Sequence, residues 1–124
     1  MPTLAGIAVA GALGALARYA LEGLVGDRTG AAFPWGTFVV NVSGAFLLGL
    51  VFTVLSERYL AAPWLRSAAT IGFLGAYTTF STLTFESYRL VEDGAVALAF
   101  ANLVGSAAAG LLAVYLGVVI GRAL

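Results

Sequence analysis

Four long apolar stretches divide the chain, and half of the charged residues lie in the short segments between them. The stretches cover about residues 3–25, 35–56, 64–90 and 95–121. Each has the roughly 20 residues that an α-helix needs to cross a bilayer. No change of composition marks a soluble domain. The pattern therefore predicts an all-α integral membrane protein with four transmembrane helices in a single domain, residues 1–124.

The third stretch interrupts its own apolar pattern. Within residues 77–84, six of the eight side chains carry a hydroxyl, and Phe80 lies among them. A continuous helix over residues 64–90 would place this run near the bilayer centre, where polar side chains are costly and usually functional. Gly75 permits unusual backbone angles, and threonine hydroxyls compete for helix carbonyls. We therefore expect the third helix to break near residues 75–80, at mid-membrane and away from lipid. The alternative is that these hydroxyls only hydrogen-bond the backbone groups that the helix break leaves without partners.

Polar side chains also recur at helical spacing in the second and fourth stretches. Thr37 and Asn41 share one helix face, and Asn102 and Ser106 share another. A buried asparagine either hydrogen-bonds a neighbouring helix or offers its amide N–H groups to a passing ion, and both interpretations stay open. Small residues repeat every four positions beside the second pair, and the face that this continuous ladder forms is predicted to be a helix–helix contact. These residues are Ala101, Gly105, Ala109, Ala113, Gly117 and Gly121.

The charges are few and balanced. Hydrophobic residues make up 61% of the chain and charged residues 10%, and the formal net charge is zero. A soluble domain has about a quarter charged residues, and a neutral chain gives no support for nucleic-acid binding. Three arginines fall at one end of the predicted bundle (Arg58, Arg66, Arg122) and two at the other (Arg28, Arg89). The positive-inside rule then leaves the orientation undecided, so chains inserted both ways could meet as antiparallel pairs.

The first stretch holds one pair of opposite charges. Arg18 and Glu22 are four residues apart and can pair on one helix face. Arg18 has either a structural function, reaching toward the nearer membrane surface, or an ion-attracting one.

The residue inventory argues against catalysis. The chain has no cysteine and no histidine, which excludes disulfides, thiol catalysis, zinc sites and imidazole acid–base chemistry. Most carboxylates fall at the ends of the stretches, so no intramembrane pair stands ready as acid and base. We predict that the protein is not an enzyme. Hydroxyl and amide donors and the positive edges of aromatic rings suit a small anion.

Three ordered motifs resemble the Fluc fluoride channels, also called the CrcB family. They are Gly-Ala-Leu-Gly-Ala-Leu-Ala-Arg-Tyr at residues 11–19, Pro-Trp-Gly-Thr-Phe-Val-Val-Asn-Val-Ser-Gly at 34–44 and Gly-Phe-Leu-Gly-Ala-Tyr-Thr-Thr-Phe-Ser-Thr at 72–82. The resemblance implies a passive fluoride-selective channel that exports cytoplasmic fluoride across the plasma membrane. It also implies an antiparallel, dual-topology homodimer of four-span subunits with two fluoride pathways.

The resemblance also assigns site residues. The backbone carbonyls of Gly75 and Thr78 are expected to hold a structural sodium ion that is not transported. This chain departs from the family at Leu83, where many members carry a second phenylalanine, and at Gly110, where others often carry a hydroxyl. The fluoride pathway is expected to involve Asn41, Phe80, Ser81, Thr82, Leu83, Asn102 and Ser106.

Two other functions remain as alternatives. A small dual-topology exporter of cationic compounds also has four short spans, but it needs a membrane-embedded carboxylate, for which Glu22 is the only candidate. A non-conducting scaffold subunit would use its small-residue faces to bind other membrane proteins and would carry no ion flux.

Overall fold

The computed structural model of the chain describes all residues from 1 to 124 and contains helices without strands. Two of its segments wind as π-helix, an uncommon form that often marks functional sites. The α-helices are α1 (Pro2–Thr29), α2 (Trp35–Thr53), α3 (Pro63–Ser67), α4 (Gly75–Tyr77), α5 (Phe80–Glu92) and α6 (Val96–Ala123). The π-helical segments are Val54–Arg58, which continues α2, and Ala68–Leu74, which joins α3 to α4.

Three continuous helices are long and apolar enough to cross a membrane. They are Pro2–Thr29, Trp35–Arg58 and Val96–Ala123. The prediction of an all-α protein with several membrane spans is thereby confirmed. The remaining predicted span corresponds to residues 63–92, which the structure divides into two helical halves.

The division lies at Thr78 and Thr79, hereafter the interruption. Thr78 has φ −86° and ψ 158°, and Thr79 has φ −150° and ψ 116°, so both residues are extended rather than helical. The second half then begins with an N-cap, because the Thr79 side chain accepts a hydrogen bond from the Thr82 N–H. The interruption falls inside the range in which the hydroxyl run predicts it.

The first helix continues beyond the predicted stretch. It runs to Thr29 and ends at Gly30, whose φ of 57° is the left-handed conformation that glycine adopts easily. Asp27 and Arg28, which follow the predicted stretch of residues 3–25, therefore lie in the last helical turn. A positive charge is favourable there because the last carbonyls of a helix carry partial negative charge.

Glycines allow α1 to pack closely against the first half of the third span, residues 63–77. Gly14 lies against the backbone of Phe73, and a Cβ at Gly72 would lie 2.9 Å from the Ile7 carbonyl oxygen. A larger side chain at either position would separate the two elements. This contact fixes the first half-helix against α1.

The second close pairing joins α2 and α6, and part of the predicted small-residue ladder lies in it. Ala113, Gly117 and Gly121 are buried against α2, but a Cβ at Gly105 would meet nothing within 4 Å. The small-residue ladder is therefore not one continuous contact within the chain. The physical reason is that the N-terminal part of α6 turns a different face, which includes Asn102, toward α5.

Polar contacts place the loops at opposite ends of the bundle. Arg122 Nε lies 3.1 Å from Glu57 Oε1, and Arg58 donates a hydrogen bond to the Leu124 carbonyl. The end of α6 therefore lies beside the end of the second span. The loop before α2 lies near the end of α5, and together they line a cavity of about 300 Å³, hereafter the second cavity. Successive spans therefore run in opposite directions.

Candidate functional site

The main cavity, of about 570 Å³, lies between α2, the interrupted third span and α6. It combines residues that the sequence assigned to two different sites, the anion pathway and the sodium site. The predicted residues that line it are Asn41, Gly75, Thr78, Phe80, Leu83 and Ser106. The predicted residues that lie outside its lining are Ser81, Thr82 and Asn102.

Asn41 makes two hydrogen bonds to the same residue of the interruption. Its Nδ2 donates to the Thr79 carbonyl at 3.0 Å, and its Oδ1 accepts from the Thr79 N–H at 2.7 Å. The amide thus satisfies both backbone groups of an extended residue, which no helix partner can reach. Of the two interpretations of Asn41, the bond to a neighbouring element is present, and one N–H of the amide is not used by it.

Arg18 reaches the other side of the interruption. Its Nε donates to the Ala76 carbonyl at 3.0 Å, and its Nη1 lies 3.9 Å from Glu22 Oε1. The guanidinium therefore points across to the third span instead of toward the membrane surface. It places a positive charge beside the C-terminal carbonyls of the first half-helix, where the helix dipole favours it.

The start of α5 presents one exposed ring and one buried aliphatic side chain. Phe80 is 76% exposed in the single chain and lines the main cavity, whereas Leu83 is buried. Thr79 Oγ1 donates to Thr82 Oγ1 at 3.0 Å and lies 3.4 Å from Ser81 Oγ. The two hydroxyls that follow Phe80 therefore face Thr79 rather than the cavity.

Most hydroxyls of the run bond within their own segment. Thr78 Oγ1 donates to the Leu74 carbonyl at 3.1 Å, and Thr84 Oγ1 donates to the Ser81 carbonyl at 3.0 Å. Such local bonds satisfy backbone and hydroxyl together. The structural interpretation of the run therefore accounts for Thr84 as well as for the interruption.

A buried polar network joins α5 to α6. Asn102 is fully buried, and its Nδ2 donates to Ser87 Oγ at 2.9 Å. Ser87 donates in turn to the Leu83 carbonyl at 2.8 Å, and Ser106 Oγ donates to Asn102 Oδ1 at 3.4 Å. Sequence reasoning missed Ser87. Its spacing of four from Leu83 and three from Leu90, both buried, was the signal that could have found it.

Two carboxylates also turn inward. Glu22 Oε1 and Glu86 Oε1 are both buried without a hydrogen-bond donor. Glu86 also lines the second cavity together with Arg89 and Asp93. Sequence reasoning gave Glu86 no function, because its position near the end of a span made it resemble an ordinary boundary residue.

The carbonyls around the interruption fit a small hard cation. Gly75 and Thr78 both line the main cavity, and no side chain donates a hydrogen bond to either carbonyl. The Ala76 and Thr79 carbonyls are instead taken by Arg18 and Asn41. Carbonyl oxygens are ligands that hard cations prefer, so the residues present are suitable for the predicted sodium ion.

A helix interrupted beside a cavity, among continuous apolar helices, is typical of channels and transporters. The structure thus defines a multi-pass membrane protein of that class. The sequence profile of the CrcB-like protein family, Camphor Resistance (CrcB), matches residues 5–118. The chain belongs to this family, which confirms the resemblance carried by the three motifs.

Named relatives are similar over the whole chain. The fluoride-specific ion channel FluC of Geobacter sp. (strain M21) is 50% identical over 124 residues, all of both chains. The protein of the same name from Geotalea uraniireducens (strain Rf4) is 48% identical over 124 residues, again all of both. That of Geobacter sulfurreducens is 46% identical over the same length. Because the family consists of ion channels, the prediction that this chain is not an enzyme is also confirmed.

Proposed function

We propose that the protein is a passive, fluoride-selective channel of the plasma membrane that lets cytoplasmic fluoride leave the cell. The observation that carries this proposal is identity of 50% over the full length to a relative named as a fluoride-specific ion channel. The chemistry of the main cavity is compatible, because it offers amide, hydroxyl and ring-edge groups to an anion.

The proposed route follows the polar groups of three elements. Fluoride contacts the free amide N–H of Asn41, the positive ring edge of Phe80 and the hydroxyl of Ser106, each in place of a water molecule. Ser106 has a single O–H, so it donates to fluoride only when it turns from Asn102. Ser81 and Thr82 contribute hydroxyls when they turn from Thr79. Asn102 lies behind the route and accepts the Ser106 hydrogen bond when no fluoride is present. Leu83 has no positive ring edge, so this section of the route is the weakest for an anion.

We propose an antiparallel homodimer as the conducting unit. The support is the exposed Phe80 ring and the main cavity, which opens on the surface of a single chain. A second copy in the same membrane would cover both. The nearly balanced arginines are compatible with insertion in either orientation. Two copies related by a two-fold axis would give two equivalent fluoride routes.

A structural sodium ion is the proposed cofactor. The Gly75 and Thr78 carbonyls of each copy would supply its oxygens near the two-fold axis, without a carboxylate. The ion would stabilise the dimer and add positive charge near the routes. It is not part of the transported current.

Purified protein in liposomes tests the proposal and separates it from its alternatives. Liposomes loaded with fluoride or with chloride are diluted, and the efflux of each anion is recorded with a selective electrode. Fast fluoride efflux with little chloride efflux is the expected result. Absence of both fluxes would favour the scaffold, and proton-driven uptake of a cationic dye without fluoride efflux would favour the exporter.

A further inference from the structure

The interruption is held from two sides by side chains of other helices. Asn41 of α2 binds the Thr79 backbone, and Arg18 of α1 binds the Ala76 carbonyl. Gly75 and Thr78 also line the main cavity, and neither of their carbonyls accepts a hydrogen bond from a side chain. Of these four peptide groups, the carbonyls of Ala76 and Thr79 accept side-chain hydrogen bonds, and those of Gly75 and Thr78 do not.

We infer that Arg18 is a positioning residue for the sodium site. Its bond to Ala76 holds that carbonyl on the α1 side and leaves the Gly75 and Thr78 carbonyls to the ion. The inference rests on the proposed function and its sodium ion, and it gives Arg18 a purpose distinct from attracting fluoride.

The arrangement depends on the shape of the arginine side chain. A guanidinium is planar and rigid, so its Nε–H can point at a carbonyl while an Nη group turns toward Glu22. Lysine would keep the positive charge, but its single flexible ammonium could not hold both contacts in fixed directions. Without a donor, the Ala76 carbonyl would be one of the unsatisfied groups that end a helix inside the membrane. It would then compete for any nearby cation.

Two substitutions separate positioning from charge. Arg18→Lys keeps the charge and loses the Nε geometry, whereas Arg18→Gln loses the charge and keeps an amide donor. Arg28→Gln is the matched control, because Arg28 is an exposed arginine at the end of the same helix. The first readout is the rise in unfolding temperature of the detergent-solubilised protein when N-methylglucamine is replaced by sodium. The second is the sodium concentration that gives half-maximal fluoride efflux.

We expect the wild type and Arg28→Gln to respond alike to sodium. Because neither replacement can hold the Ala76 carbonyl and the Glu22 contact together in fixed directions, both Arg18 variants should need at least about tenfold more sodium. Both should also lose most of the sodium-dependent rise in unfolding temperature. Sodium responses of Arg18→Lys equal to those of the wild type would overturn the inference and leave charge as the function of Arg18.

A readout without any variant keeps the inference testable if the Arg18 variants do not fold. An experimental structure of the wild type in sodium should show Gly75 and Thr78 oxygens at the ion and the Ala76 oxygen still bound to Arg18. An ion that contacts the Ala76 oxygen, or no sodium effect on wild-type stability, would contradict the inference. Neither outcome would decide the proposed function, which depends on wild-type fluoride efflux.

Discussion

The amide nitrogen of Asn41 donates a hydrogen bond to the Thr79 carbonyl and has a second N–H for the proposed route. Substitution with aspartate replaces that donor by a second oxygen, which would face the Thr79 carbonyl and carry a negative charge beside the proposed route. In a dry site both effects oppose an anion. We expect Asn41→Asp to lower fluoride efflux from liposomes by at least about tenfold, equivalent to about 1.4 kcal/mol. Normal efflux from a folded, dimeric variant would remove Asn41 from the route.

The buried network of α5 and α6 makes a separate prediction about stability. Asn102→Leu removes the donor to Ser87 and the acceptor for Ser106, so it should destabilise the protein by about 1–3 kcal/mol. Ser106→Ala should cost less, because the bond it removes is long at 3.4 Å. Unfolding temperatures in detergent measure both, and the prediction is wrong if the two variants are equally stable.

At the scale of single residues, the sequence could identify the polar groups but not their partners. Asn41 stands out because an amide is rare inside an apolar span. Its partner Thr79 lies 38 residues away, and the Ala76 partner of Arg18 lies 58 residues away. Helical spacing relates only side chains on one helix, so contacts between spans need the packed structure.

At the scale of elements, the close approach of α1 to the first half-helix depends on Gly14. Gly14→Val would push its side chain into the Phe73 backbone, at a cost of about 1–3 kcal/mol. Gly23→Val, on the same helix, is the matched control because a Cβ there meets nothing within 4 Å. Thermal unfolding in detergent should show a clear loss for the first variant and little change for the second. Equal losses of unfolding temperature in the two variants would mean that the change of helix propensity, and not packing against Phe73, causes the destabilisation.

The interruption was predictable because its cause is local. Glycine, paired threonines and a run of hydroxyls act on their own helix, so the sequence places the break within a few residues. The contacts of the small-residue ladder of α6 were harder to predict. Its pattern shows that another helix can approach closely, but it does not show how far along α6 that helix extends. Within the chain α2 covers Gly117 and Gly121 but leaves Gly105 open.

At the scale of the whole molecule, the distribution of arginine leads to a prediction about insertion. The chain has no cysteine, so single introduced cysteines at either end can be labelled without background. We expect each single-cysteine variant, without added arginines, to be labelled from both sides of the membrane. Arginines added to one terminus should bias insertion and reduce fluoride efflux, with recovery when an oppositely biased copy is co-expressed. Labelling from one side alone would contradict dual insertion.

The interruption also constrains the order in which the chain can be built into a membrane. Neither the segment before it, residues 63–77, nor α5 has the roughly 20 apolar residues of a span, so neither half can insert by itself. The extended backbone between them needs donors and acceptors before it can leave water. Asn41 supplies both to Thr79, and Arg18 supplies a donor to the neighbouring Ala76 carbonyl; both side chains precede the interruption in the sequence. The two supporting helices are therefore synthesised before the interrupted span, which can pack against them as it enters the membrane.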